Sequence, residues 1–136
     1  MFVPAAPSRM DKFLTKALGS VTDSIVIDLE DSVAEVDKEA ARAKVGAWLA
    51  SSPNVGGKEI VVRINGAAAV EDVGALLGDG GRWPDALMVP KVASAACLEL
   101  VDAHCSAHRH ARFRTSFVAT SRPRSVHATP LTYAPQ

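Results

Sequence analysis

The chain has 136 residues, 48% of them hydrophobic and 22% charged, which is the length of one ordinary domain and a folded rather than a disordered composition. Fifteen Lys and Arg balance fifteen Asp and Glu, excluding the strong bulk field of a protein that binds nucleic acid or an anionic membrane as a whole. The zero averages two unlike parts: residues 1–100 hold ten basic and fourteen acidic side chains, net −4, while 101–136 hold five Arg against Asp102, net +4, and all four His.

In chain order, the short apolar run Phe2–Pro4 predicts a first strand. Met10, Phe13, Leu14, Ala17 and Leu18 recur at three- and four-residue spacing and stop at Gly19, predicting a helix. A second strand follows at 25–28, then a helix from Asp37 to Ala50 with Ala41, Val45, Trp48 and Leu49 on one face and Asp37 as its cap. After a Gly, Pro and Asn-rich loop at 51–58 come a third strand at 60–65 and a helix from Ala68 to Leu77, closed by Gly78. A loop at 78–84 leads to a fourth strand at 86–90 and a helix over 94–101 with Ser94 as its cap. The strands are continuous in hydrophobicity rather than alternating, as expected of parallel strands. Strand then helix, four times over, implies right-handed crossovers and a parallel sheet, open or closed into a barrel.

In either architecture the active site lies at the carboxyl ends of the strands, and polar residues gather there. The second strand runs into Asp28, Leu29, Glu30, Asp31 and Ser32. Three carboxylates so close together need solvent, a cation or a positioned Arg; a helix cap by Asp31 and Ser32 with Asp28 paired to a neighbouring base is the plainer account. The third strand delivers Arg63, Asn65 and Gly66. An Arg there offers a planar fork to the carboxylate of an oxo-acid or acyl group, or forms an internal salt bridge to Asp28 or Glu30. Lys91, after the fourth strand, either attracts an anion or is simply solvated.

Cys97 and Cys105 are too few for a disulfide framework and lack zinc or redox spacing. No signal-peptide pattern opens the chain, and no segment approaches the roughly 18 apolar residues of a spanning helix. A cytoplasmic protein with no membrane partner is therefore expected. His104, His108 and His110 are spaced to share a helix face but have no Cys ligands nearby, and Arg109, Arg112 and Arg114 lack a stacking module, so neither a metal site nor a nucleic-acid partner is expected.

The segments Phe2-Val3-Pro4-Ala5, Ser8-Arg9-Met10, Lys16-Ala17-Leu18, Ile27-Asp28-Leu29-Glu30-Asp31-Ser32-Val33-Ala34, Lys38-Glu39-Ala40-Ala41-Arg42, Val62-Arg63-Ile64-Asn65 and Met88-Val89-Pro90-Lys91-Val92 strongly resemble the citrate lyase beta subunit-like branch of the HpcH/HpaI aldolase family. The resemblance implies a TIM barrel, assembled as a homo-oligomer or with citrate lyase-type subunits. It also implies Mg²⁺-assisted cleavage or formation of a carbon–carbon bond in a citryl or malyl CoA thioester. It makes Arg63 the residue that holds the oxo-acid and places Asp28, Glu30 and Asp31 around the site to orient Arg63 and metal-bound water. Phe2, and within one residue Lys12, fall near the nucleotide of coenzyme A. Whether such a chain acts as a lyase or a thioester hydrolase stays open.

The family's Mg²⁺ ligands, one Glu and one Asp, belong to a fifth and a sixth strand, and no metal ligand is carried over here. From about Ala103 the composition turns to His, Arg, Ser, Thr and Pro without Gly, Lys or Glu and without strand or helix periodicity. A reading-frame shift in a high-GC gene would write such a change; a divergent tail is the alternative. The expectation is thus an α/β chain in two parts. Residues 1–102 form the N-terminal half of a TIM barrel, about four βα units of a fold that needs about 250 residues, and 103–136 form an irregular basic tail. Such a chain is an incomplete, inactive lyase half, a half-barrel completed by association, or a non-enzymatic protein that binds through its tail.

Overall fold

A computed structural model describes residues 1–51, 53–76, 82–92 and 94–107, and the backbone of 117–120. Its elements are β1 (Phe2–Pro4), α1 (Met10–Leu18), β2 (Ser24–Asp28), α2 (Lys38–Ala50), β3 (Glu59–Arg63), α3 (Ala69–Leu76), β4 (Ala86–Pro90), α4 (Ala95–Ala107) and β5 (Phe117–Thr120). Single 3₁₀ turns lead into α2 and α3. The strands form one parallel sheet in the order β1-β2-β3-β4-β5, each pairing with its sequence neighbour. Helical crossovers that always step to the next position on the same side wind the sheet in one direction, as in the first half of a (β/α)₈ barrel.

The two faces of the sheet differ. Val3, Ile25, Ile27, Ile60, Val62, Leu87 and Val89 share one hydrophobic cluster with Met10, Leu14 and Ala17 of α1, Ala41, Val45 and Leu49 of α2, Val73 and Leu76 of α3, and Val101 and Cys105 of α4. All four helices therefore cover one face. On the other, Val26, Val61 and Ala86 form a separate small cluster flanked by Met88, and no described helix lies over it. The register explains the division: Phe2, Val26, Val61 and Ala86 align in one row, and Pro4, Asp28, Arg63 and Met88 in the next row but one, on the same side of the pleat. In a closed barrel that face points inward.

Several expectations need correction. Asp37 does not cap α2 with its side chain: its backbone is already helical, at φ −100° and ψ −4°, so the carboxylate does not turn back to the first free N–H groups. The third strand ends at Arg63 rather than Asn65, because the Asn65 N–H leaves the ladder for the Asp72 carboxylate at 2.6 Å. Regular structure does not stop near Ala103: α4 runs on to Ala107, and Phe117–Thr120 pairs in parallel with β4 as a fifth strand. The expected helix end at Leu77 and Gly78 lies outside the described residues.

Candidate functional site

Asp28 and Arg63 are the last residues of neighbouring strands and register partners, so both project from the uncovered face at the carboxyl end of the sheet. Arg63 Nε donates to Asp28 Oδ1 at 2.8 Å and Nη2 to Oδ2 at 2.7 Å, a two-pronged charged pair. Asp28 is further fixed by the Glu30 N–H on Oδ1 at 2.9 Å, while the Ser32 hydroxyl donates to the Asp28 carbonyl oxygen at 2.6 Å. Burial pushes the Asp28 carboxyl up, but the bonds from Arg63 and Glu30 outweigh it and hold the group below its ordinary value. The bond to Asp28 likewise holds the Arg63 proton more firmly than usual.

The remaining guanidinium nitrogen, Nη1, lies 3.2 Å from both Glu30 Oε2 and Asp31 Oδ2. Lys91 closes the cluster from β4, its Nζ 2.8 Å from Glu30 Oε1 and 3.7 Å from Asp31 Oδ1. The bond and charge of Glu30, with Asp31 behind, raise the Lys91 pKa. Lys91 sits at φ +49°, the left-handed region that a side-chain-bearing residue enters at a cost. Phe2, 55% exposed, lays its ring against the guanidinium, 5.4 Å from Arg63 Cζ to the ring centre.

Beside this cluster opens a cavity of about 290 Å³ lined by Glu30, Asn65, Gly66, Ala67 and Lys91. At Gly66 an added Cβ would make ordinary contact with the Pro90 carbonyl oxygen at 3.5 Å, so the backbone of β4 does not by itself demand a glycine there.

Of the residues singled out from the sequence, Asp28, Glu30, Asp31, Arg63, Lys91 and Phe2 come together. Lys12 does not: it is exposed on the first turn of α1 and makes no ion pair with the cluster. His104 lies on α4, whereas His108, His110 and His127 lie outside the described residues, as do Arg109, Arg112 and Arg114.

A second layer was not anticipated. Lys38, the first residue of α2, donates from Nζ to the Leu29 carbonyl at 2.8 Å, to the Glu30 carbonyl at 2.5 Å and to Asn65 Oδ1. Asn65 in turn donates from its side-chain amide to Asp72 Oδ2 at 2.8 Å, and fully buried Asp72 accepts Arg42 Nε on Oδ1 at 3.0 Å. Lys38 thus ties the acidic loop to β3, α2 and α3. The one hint in the sequence is a Lys at a helix N-terminus, where the helix dipole opposes a cation unless oxygens compensate it.

The carboxylates do not fit a resident Mg²⁺. Asp28, Glu30 and Asp31 each already face a guanidinium or an ammonium, and no group of three or more His, Cys, Asp or Glu suited to a metal occurs among the described residues. What the arrangement offers is an Arg held in one orientation, a second cation beside it and an adjoining cavity, which is equipment for capturing a carboxylate.

The profile of the HpcH/HpaI aldolase/citrate lyase family matches residues 1–129. An L-malyl-CoA/beta-methylmalyl-CoA lyase of Rhodobacter capsulatus is 37% identical over 127 residues, covering 82% of this chain and 39% of the relative. A Cereibacter sphaeroides protein of the same description is 38% identical over 123 residues, covering 82% and 38%. A (3S)-malyl-CoA thioesterase of Cereibacter sphaeroides is 36% identical over 97 residues, covering 71% and 34%. Among solved structures, RipC from Yersinia pestis superposes with a TM-score of 0.54 at 34% identity, covering 85% of this chain and 43% of that one. The chain spans about two fifths of the length of the curated lyases it matches. With the family match extending across β1 to β5 and the site at the strands' carboxyl ends, the chain belongs to the HpcH/HpaI aldolase/citrate lyase family.

Proposed function

We propose that this chain is the oxo-acid-binding half of a carbon–carbon lyase for malyl or citryl CoA thioesters, and that it does not cleave them alone. The observation that carries the reading is Arg63, locked by Asp28 in a two-pronged pair while its Nη1 shares the Glu30 carboxylate with Lys91 at the border of the cavity. Cleavage beside a carboxylate sends an electron pair onto the thioester carbonyl, which needs an electrophile to receive it. In the family Mg²⁺ supplies that chemistry, whereas the carboxylates here are committed to Arg63 and Lys91. Arg63 instead holds the oxo-acid product, and Phe2 shields one side of the guanidinium from water, raising its hold on an anion. Lyase and thioesterase relatives share this half, which supports a common binding role and leaves the choice of reaction to the rest of such proteins. The thiols of Cys97 and Cys105 suit the reducing cytoplasm.

The test is a glyoxylate titration followed by NMR, paired with a malyl-CoA cleavage assay in Mg²⁺. Binding that disappears in Arg63→Gln, with no cleavage by the unaltered chain, is expected. Absence of glyoxylate binding overturns the oxo-acid role, and cleavage at the pace of a full-length relative overturns the incomplete-enzyme role. A second reading, completion of the site by another copy or a complementary subunit, is favoured by the sheet edges at β1 and β5, each paired on one side only among the described residues.

A further inference from the structure

The three carboxylates around Arg63 are not equivalent. Asp28 is bound through both oxygens at 2.7 and 2.8 Å. Glu30 is 10% exposed, bridges Arg63 and Lys91, and has its carbonyl held by Lys38 at 2.5 Å. Asp31 is 61% exposed and rests on its cations at 3.2 and 3.7 Å, longer than the roughly 2.7–2.9 Å of a strong charge-assisted bond. Its two oxygens are nonetheless divided between Arg63 and Lys91, as the oxygens of a bound ligand carboxylate would be.

Charge sharpens the point. With Asp31 in place the cluster sets Asp28, Glu30 and Asp31 against Arg63 and Lys91, an excess of one negative charge that repels an arriving anion. Without it the cluster is neutral, and Arg63 Nη1 and Lys91 Nζ keep only Glu30 as their shared carboxylate, beside the cavity that Glu30 and Lys91 line.

We propose that Asp31 is an internal stand-in for the ligand's carboxylate, occupying its place on Arg63 and Lys91 and swinging into solvent when a 2-oxo-acid arrives. This deepens the oxo-acid reading of the site and rests on it. Asp31 then acts as a competitor that any ligand must displace, so only a molecule carrying its own carboxylate gains entry. A neutral aldehyde leaves Asp31 where it is.

The test titrates glyoxylate into the full chain and into Asp31→Asn, Glu35→Gln and Asp31→Asn/Arg63→Gln, following backbone amides by NMR. Glu35, exposed in the 3₁₀ turn before α2, controls for a general change in charge. Asp31→Asn is expected to bind about tenfold more tightly than the unaltered chain, the gain from releasing partly buried Arg63 and exposed Lys91 from a competing carboxylate. Glu35→Gln should change little, and the double variant should lose the gain. Equal or weaker binding by Asp31→Asn, or an equal gain in Glu35→Gln, overturns the stand-in role while leaving Arg63 as the oxo-acid ligand. If neither the unaltered chain nor Asp31→Asn binds glyoxylate, the oxo-acid reading falls and the stand-in role falls with it.

Discussion

The Asp28–Arg63 pair sets the pH response of the site. Asp28 has a folded-state pKa below its unfolded value near 4, so its contribution to stability is fully present above about pH 4 and fades as pH falls through the lower, folded value. Asp28→Asn should flatten that acid limb in urea titrations at stepped pH. At neutral pH it should cost about 2 kcal/mol, the worth of charged hydrogen bonds at a buried site; an unchanged acid limb would contradict the pairing. Lys91 presents the opposite balance. Its left-handed backbone costs about 1 kcal/mol for a residue with a Cβ, and its side chain is 78% exposed, so its charge adds little to the fold and stands accessible to an anion. Lys91→Gly should leave thermal stability unchanged or slightly raised while weakening glyoxylate binding. Marked destabilisation would make Lys91 a structural residue instead. Much of this cluster was legible in the sequence, because Asp28 and Arg63 end adjacent parallel strands and strand parity puts both on one face. Lys38 was not legible: its contacts depend on how the loop after β2 folds back over the start of α2, and no periodicity encodes that.

Between elements, two contacts decide how the helices hold the site. Lys38→Met removes the only described side chain that joins the Leu29 and Glu30 carbonyls to Asn65. It should cost about 2 kcal/mol and speed hydrogen exchange through the acidic loop, while leaving the α1 amides protected. Gly46, inside α2, faces α3 so closely that an added Cβ would fall well within van der Waals contact of the Ala75 carbonyl oxygen. Helix propensity favours Gly46→Ala by up to about 1 kcal/mol, whereas the backbone-to-backbone clash forces α2 and α3 apart at a cost of about 1–3 kcal/mol. The clash should win and lower the melting temperature; a stabilised variant would show that the two helices part freely. The four helices and first four strands were readable from their apolar spacing. The fifth strand was not, since Phe117–Thr120 offers four residues amid Arg, Ser and Thr, and what defines it is a parallel pairing to β4, a long-range contact.

At the scale of the whole molecule, the described residues give the sheet one face that no helix covers and two edges with one partner each. Edge strands with unpaired N–H and C=O groups pair with other chains unless something blunts them. β1 is blunted in part: it is three residues long and contains Pro4. The face without a described helix carries a small apolar strip, Val26, Val61 and Ala86 buried and Met88 partly so, bordered by exposed Phe2. In the closed barrel, side chains from the opposite strands fill that space. Sedimentation velocity should therefore show a weight-average mass that rises with protein concentration. Met88→Lys, which sets a charge at the middle of the strip from a partly buried position, should return the chain to monomer with its circular dichroism unchanged. A monomer at every concentration would mean that the open face needs no partner, and the reading in which copies complete each other's site would then fail. If association does occur, glyoxylate binding settles what it achieves. Affinity that rises with self-association makes the neighbouring copy part of the site, whereas affinity independent of concentration leaves Arg63 and its carboxylates to bind alone and assigns the association to the strip and the sheet edges.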